Sequence, residues 1–137
     1  MRAVILAVLL VVLGWTGIAP AQEQPGGSTT NAIIVCNQVA LRIRVPAPGM
    51  SVQDRVADVY RRIVLAWSRE RITADKVTLR QTGGTWSIYA GGTLIVTVQQ
   101  EDARANGTTV AALAQGWHAK LRELLPQCKP DINPPNP

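Results

Sequence analysis

With 137 residues and a formal net charge of +5, the chain has room for one folded domain. Phe is absent while 47% of the residues are hydrophobic, so a core must be built from Val, Ile, Leu, Ala and Trp. One His and two separated Cys rule out the close-spaced ligand pairs of a zinc site, and no C-x-x-C redox motif is present. The positive excess, carried mainly by Arg, suits an anionic envelope polymer or lipid headgroup, but is as common in exported domains with no polyanion partner.

Arg2 is followed by an apolar run from Val4 to Leu13, extended by Trp15 and Ile18, and then by Ala19-Pro20-Ala21. A positive start, an apolar middle and a small-x-small end predict a signal peptide over residues 1–21 and an exported chain, periplasmic or secreted. The alternative is a retained anchor. The run is shorter than the roughly 20 residues a membrane span needs, and Gly14 and Thr16 interrupt it. No other segment is apolar enough to span a bilayer, so no membrane span is expected in the mature chain. Residues 22–31 read as a flexible leader. In an oxidising compartment Cys36 and Cys128 predict a disulfide. Closing a loop of about 90 residues stabilises by about 4–5 kcal/mol in the chain-entropy model.

Ala32 to Cys36 is apolar and starts a first strand. Val39, Leu41, Ile43 and Val45 alternate with Ala40, Arg42 and Arg44, the period of a half-buried strand. Pro46 and Pro48 end it. Ser51 with Asp54 three residues on forms a capping box. Val52, Val56, Val59, Tyr60, Ile63, Ala66 and Trp67 then recur at helical spacing to about Glu70, with Asp54, Arg55, Asp58, Arg61 and Arg62 on the other side. Val77 and Leu79 alternate in a second strand. Thr82-Gly83-Gly84-Thr85 is a turn, and Trp86, Ile88 and Ala90 mark a third strand. Gly91-Gly92 is a hairpin signal, since both positions accept positive φ. Leu94, Val96 and Val98 mark a fourth strand. Glu101 to Asn106 is a short helical turn closed by Gly107. Thr108 or Thr109 caps a last helix carrying Val110, Leu113, Ala114, Trp117, Leu121, Leu124 and Leu125, which Pro126 stops. Residues 129–137 form a Pro-rich tail predicted to be disordered.

The order β-α-β-β-β-α over residues 32–128 predicts a single α+β domain. Its expected architecture is a two-layer sandwich, with two helices packed on one face of a four-stranded mixed sheet. A strand-helix-strand connection would make the first two strands parallel. Counting directions then brings Cys36 and Cys128 to the same end, which supports the disulfide.

The block Ile95-Val96-Thr97-Val98-Gln99-Gln100-Glu101-Asp102-Ala103-Arg104-Ala105-Asn106-Gly107, followed by Leu113-Ala114, Trp117 and Leu121, resembles a known module. It is similar to the extracytoplasmic segment preceding the membrane domain in some bacterial small-conductance mechanosensitive ion channels, and the Tyr89-Ala90-Gly91-Gly92 turn fits as well. The resemblance spans about residues 39–125. It implies an extracytoplasmic, non-catalytic accessory module and supplies no catalytic residues. No channel-forming helices follow in this sequence, so conduction is not expected.

Among the chemistry-bearing residues, His118 has no nucleophile context and reads as a solvated helix residue. Glu101 and Asp102 could do acid-base work, but beside a helical turn they read as backbone caps. Gly83-Gly84 and Gly91-Gly92 are followed by no Gly-Lys-Ser/Thr and are not phosphate loops. Asn106-Gly107-Thr108 matches the glycosylation pattern, which matters only in a eukaryotic host. The sharper candidates for ligand binding are Arg42, Arg44, Arg80 and Tyr89. Period two puts them with Thr78, Ser87 and Thr97 on the sheet face away from the helices, where Arg and hydroxyls could hold an anionic polymer or a protein partner. The alternative is an ordinary solvated sheet face. Ile95 on that face would hint at coverage by a second copy. The expectation is an exported, non-catalytic interaction or sensory module of the bacterial cell envelope, with no cofactor, no metal and no nucleic-acid partner. The alternatives are a small secreted hydrolase or inhibitor, or a structural envelope protein without a specific ligand.

Overall fold

A computed structural model describes residues 31–128. The signal peptide, nearly all of the leader and the tail expected over 129–137 lie outside the described residues. The elements in chain order are β1 (Ala32–Val35), β2 (Gln38–Arg42), α1 (Val52–Arg69), a single helical turn (Ala74–Lys76), β3 (Val77–Thr82), β4 (Thr85–Ala90), β5 (Thr93–Val98), α2 (Gln100–Ala105) and α3 (Val110–Leu124). The α+β class is as expected.

The single four-stranded mixed sheet is not formed. The strands make two antiparallel sheets, β1-β2 and β3-β4-β5. The stretch read as one first strand turns back on itself at Cys36 and Asn37, with φ of 54° and 59°. Two successive positive-φ residues make the tight turn whose twist suits a hairpin. Cys-Asn lacks the glycine that usually announces it. With β1 paired to β2 and α1 leading on to the other sheet, no strand-helix-strand crossover within one sheet and no parallel pairing arise among the described residues.

Two bulges reset the faces. Ile33 pairs with Leu41 and Ile34 with Val39, so Ala40 is the extra residue. Ala40 and Leu41 are therefore both buried, while Val39 turns outward beside Ile34, each more than a third exposed. Of the four apolar positions expected to face inward, Leu41 and Ile43 are buried and Val39 is exposed. In β5, Ile88 pairs with Val96 and Tyr89 with Leu94, leaving Ile95 extra. Ile95 is fully buried. It does not sit on the outer sheet face as expected, and Leu94 takes that place opposite Tyr89.

The capping box of α1 is present. Ser51 Oγ accepts from the Asp54 N–H at 3.1 Å, and Asp54 Oδ2 accepts from the Ser51 N–H at 3.2 Å. Instead of lying on a sheet face, α1 runs along two strand edges that have no neighbouring strand. Tyr60 OH accepts from the Ile34 N–H at 2.7 Å and donates to the Ala32 carbonyl at 3.3 Å. Arg55 donates to the Thr97 carbonyl at 2.9 Å. Side chains of α1 thus satisfy backbone groups that an open edge would leave to solvent.

Helix α3, capped by Thr109, packs against β2, β3 and β4 through Ala114, Trp117, Leu121 and Leu124. It unites both sheets over one core containing Ile33, Ile43, Ile63, Ile88, Ile95 and Leu121. The chain beyond α3 returns to the first hairpin, where Cys128 is bonded to Cys36 with Cα atoms 5.7 Å apart. The cysteines meet because α3 lies against β2, not because of the parallel pairing used to predict it. Trp67 Nε1 donates to the Leu125 carbonyl at 3.2 Å and ties α1 to the same end. Among the described residues no helix is long and apolar enough to cross a membrane.

Candidate functional site

Arg80, Thr78, Ser87, Tyr89 and Thr97 do share one face of β3-β4-β5, as period two predicts. Cross-strand pairing sets Thr78 beside Tyr89, and Arg80 beside Ser87, which in turn faces Thr97. The Arg80 guanidinium lies 4.6 Å from the centre of the Tyr89 ring. That contact holds the guanidinium over the ring. Ser87 and Thr97 hydroxyls are 3.3 Å apart.

Arg42 and Arg44 do not join them. Arg42 closes β2 in the separate hairpin, and Arg44 is exposed in the segment after it. The four-residue cluster expected from one continuous sheet is therefore dispersed, with Arg80 and Tyr89 in one sheet, Arg42 in the other and Arg44 outside both.

A second group of residues takes the place of the missing arginines. On α1, Asp58, Arg62, Leu65 and Arg69 recur every three or four residues and so share one flank. The flank faces β5, since Arg69 Nη1 reaches Thr93 Oγ1 at 3.4 Å. Between α1, β5 and the loop before α1 lies a cleft of about 190 Å³, with Met50, Arg55, Asp58, Arg62, Leu94 and Thr97 in its lining. Leu94 belongs to both surfaces. It faces Tyr89 across the strand pair and lines the cleft, so one continuous surface runs from Arg80 on β3 to Arg62 on α1.

Charge on this surface is unbalanced. Arg62 in the cleft and Arg80 on β3 each carry a positive charge, while Arg69 lies farther along α1, outside the cleft lining. Asp58 is the one acid in the cleft lining, and its carboxylate already accepts from both Arg61 and Arg62, the latter at 2.7 Å. Periodicity had placed Arg55 and Asp58 on the outer side of α1, but both are buried.

Arg55 is a strut within the fold. Its guanidinium makes a fork on Asp102, with both N···O distances 2.7 Å, and also donates to the carbonyls of Val45 at 3.1 Å and Thr97 at 2.9 Å. Asp102 is fully buried and accepts from the Gln99 N–H at 2.9 Å as well, capping α2 as expected. Its carboxylate is thus fully engaged, whereas Glu101 is exposed. The two do not form the free carboxylate pair that a hydrolase reading requires. His118 is not a solvated residue. It is half-buried, with Nε2 2.9 Å from the Val77 carbonyl, so that nitrogen is the donor. Among the described residues no group of three or more His, Cys, Asp or Glu could hold a metal ion.

The signal for the α1 flank was present in the spacing of Asp58, Arg62, Leu65 and Arg69. What the spacing lacked was the neighbour, because β5 approaches that flank only in the folded chain. Residues 32–127 match the family model described as a domain of unknown function, DUF8459. No curated protein and no solved structure matches the chain.

Proposed function

The chain belongs to the DUF8459 family, a domain of unknown function, and from that premise we propose an exported, non-catalytic binding module that holds an anionic partner of the bacterial cell envelope. The observation that carries it is the continuous surface from Arg80 to Arg62. The guanidiniums of Arg80 and Arg62 stand on it, pre-positioned by Tyr89 and by Asp58. Guanidiniums held in place lose less freedom on pairing with carboxylate or phosphate, and adjacent hydroxyls on Ser87 and Thr97 add acceptors and donors. The Cys36–Cys128 bond fits an oxidising compartment. An extracytoplasmic accessory role also agrees with the resemblance to the channel-associated module.

The test has two parts. Expression of the full chain in a bacterium should yield a periplasmic product whose intact mass begins at Gln22; a product retaining residues 1–21 in the membrane would refute export. That product should bind inorganic polyphosphate in a salt-dependent way, and an Arg62→Ala/Arg80→Ala variant should bind about tenfold more weakly or worse. Equal binding by the native and double-variant proteins would refute the surface.

A further inference from the structure

Edge strand β3 is closed where it begins and open where it ends. Resting on the anionic-partner reading above, we infer that the open edge takes an extended acidic segment of a protein partner as an added antiparallel strand, with a carboxylate beside Arg80.

The direction of the main-chain groups defines the site. In an antiparallel pair successive residues turn their N–H and C=O alternately toward and away from the neighbouring strand. The Lys76 carbonyl accepts from the Gly91 N–H at 3.1 Å and so lies on the β4 side. Val77, the next residue, faces away, and both its groups are taken. Its N–H donates to the Ala74 carbonyl, and its C=O accepts from His118 at 2.9 Å. Leu79 and Gln81 face the same way as Val77. Their outward N–H and C=O groups have no hydrogen-bond partner among the described residues. The β3-β4 register is unbroken and β3 holds no Pro, so neither a bulge nor a proline blunts this edge. Arg80, Gln81 and Thr82 are all exposed.

The chemistry of the occupant follows from Arg80, the only charged residue of β3. Its guanidinium lies over Tyr89 and pairs with none of the described carboxylates. Because the Arg80 main chain faces β4, the residue opposite it on an added strand takes a non-hydrogen-bonded position. Facing side chains come closest there, with Cα atoms about 4.5 Å apart. Glu or Asp at that place gains a cross-strand charge pair, and its two neighbours exchange main-chain bonds with Leu79 and Gln81. An apolar neighbour opposite Leu79 extends the rim of the core, against which Leu79 is packed.

A second copy of this chain fits worse. Two β3 strands pairing about Leu79 set each Gln81 against a Val77 whose groups are already taken. Pairing about Arg80 sets two guanidiniums face to face. Pairing about Gln81 sets each Leu79 against Gly83, in the turn at φ 57°. A phosphate polymer can neutralise Arg80 but has no donors to offer the Leu79 and Gln81 carbonyls.

Binding is read by fluorescence anisotropy on the full exported chain with its disulfide intact. The probe is a fluorescein-labelled peptide, Ser-Ser-Thr-Glu-Val-Ser-Ser, whose Thr, Glu and Val would lie opposite Gln81, Arg80 and Leu79. N-methylation of the Val removes an N–H that points at β3 and should weaken binding about tenfold or more. N-methylation of the Glu removes one that points away and should change it by less than about twofold. Arg80→Glu should cost about tenfold, which a peptide with Arg in place of Glu should recover. Gln81→Pro should cost about tenfold and leave the domain folded, since the Gln81 N–H lies outside the β3-β4 ladder. Lys120→Ala, on the exposed side of α3, should leave binding unchanged. Urea denaturation confirms that each variant is folded, and polyphosphate is measured in parallel. Equal losses from the two N-methylations would overturn strand addition. Peptide binding that survives both Arg80→Glu and Gln81→Pro would overturn the assignment to β3. So would a dimer in sedimentation that Gln81→Pro dissociates, because a second copy would then hold the edge. Polyphosphate binding without peptide binding would overturn this inference and leave the anionic reading standing. No binding of any probe would overturn both readings.

Discussion

Replacing Asp102 by Asn tests the strut that fixes the cleft floor. Asn keeps the shape but removes the charge facing Arg55. The Arg55 side chain is 6% exposed and that of Asp102 0%, so solvent cannot replace the lost partner. The amide also turns an N–H toward a guanidinium that can only donate. What remains for Arg55 is the pair of carbonyls of Val45 and Thr97. Breaking a buried ion pair by removing one partner costs about 3–5 kcal/mol. A domain of this size holds about 5–15 kcal/mol in total, so the variant should be folded but marginal. At about 4–8 °C per kcal/mol, the midpoint of thermal unfolding should fall by at least about 12 °C. Urea denaturation followed by Trp fluorescence, with the disulfide intact, measures the loss directly. Adding Arg55→Met removes the stranded charge and should regain part of the stability, giving the pair a coupling energy in a double-mutant cycle. A loss below about 1 kcal/mol for Asp102→Asn, the worth of an exposed pair, would refute the argument.

Gly91 and Gly92 both have positive φ, 53° and 76°, in the turn between β4 and β5. A Cβ on Gly91 would lie 2.7 Å from Glu70 Oε1 and 2.9 Å from Ile72 Cδ1, whereas one on Gly92 meets nothing within 4 Å. Gly92→Ala should therefore cost about 1 kcal/mol of turn strain, and Gly91→Ala more than that because the tips of Glu70 and Ile72 must move aside, read from urea midpoints; equal losses would show that the packing of Glu70 and Ile72 is irrelevant. Hydrogen bonds from the Ser51 side chain and backbone hold the Asp54 carboxyl below its usual value of 3.8. A folded-state pKa below the unfolded one means stability present above 3.8 and lost as pH falls through the folded value. Asp54→Asn should accordingly be less stable than the native chain at neutral pH, with the difference closing in acid below 3.8; a gap independent of pH would refute the capping role.

Features written in near neighbours were legible along the chain. Ser51 and Asp54 announce the start of α1, the Thr108-Thr109 pair that of α3, and the glycine pairs both turns of the three-stranded sheet. Each is decided by hydrogen bonds or φ values within four residues, so no distant contact has to be known. The face shared by Arg80, Tyr89, Ser87 and Thr97 was readable for the same reason, since β3 and β4 keep their period and Thr97 lies on the Ser87 side of the bulge.

Tertiary structure decided what depends on partners far along the chain. The Cys36-Asn37 turn carries no glycine, and its positive φ values become visible only with the hairpin closed and the disulfide to Cys128 in place. The bulges at Ala40 and Ile95 move one residue each to the other face, which no alternation of residue types records. Arg55 reads as a surface residue until Asp102, 47 positions away, arrives to pair with it in the interior. The α1 flank becomes one wall of a cleft only when β5 lies alongside it. Sequence spacing sets which side chains travel together on an element; which of them meet, and which are buried with their charge, is settled by the packing of elements that the chain joins at long range.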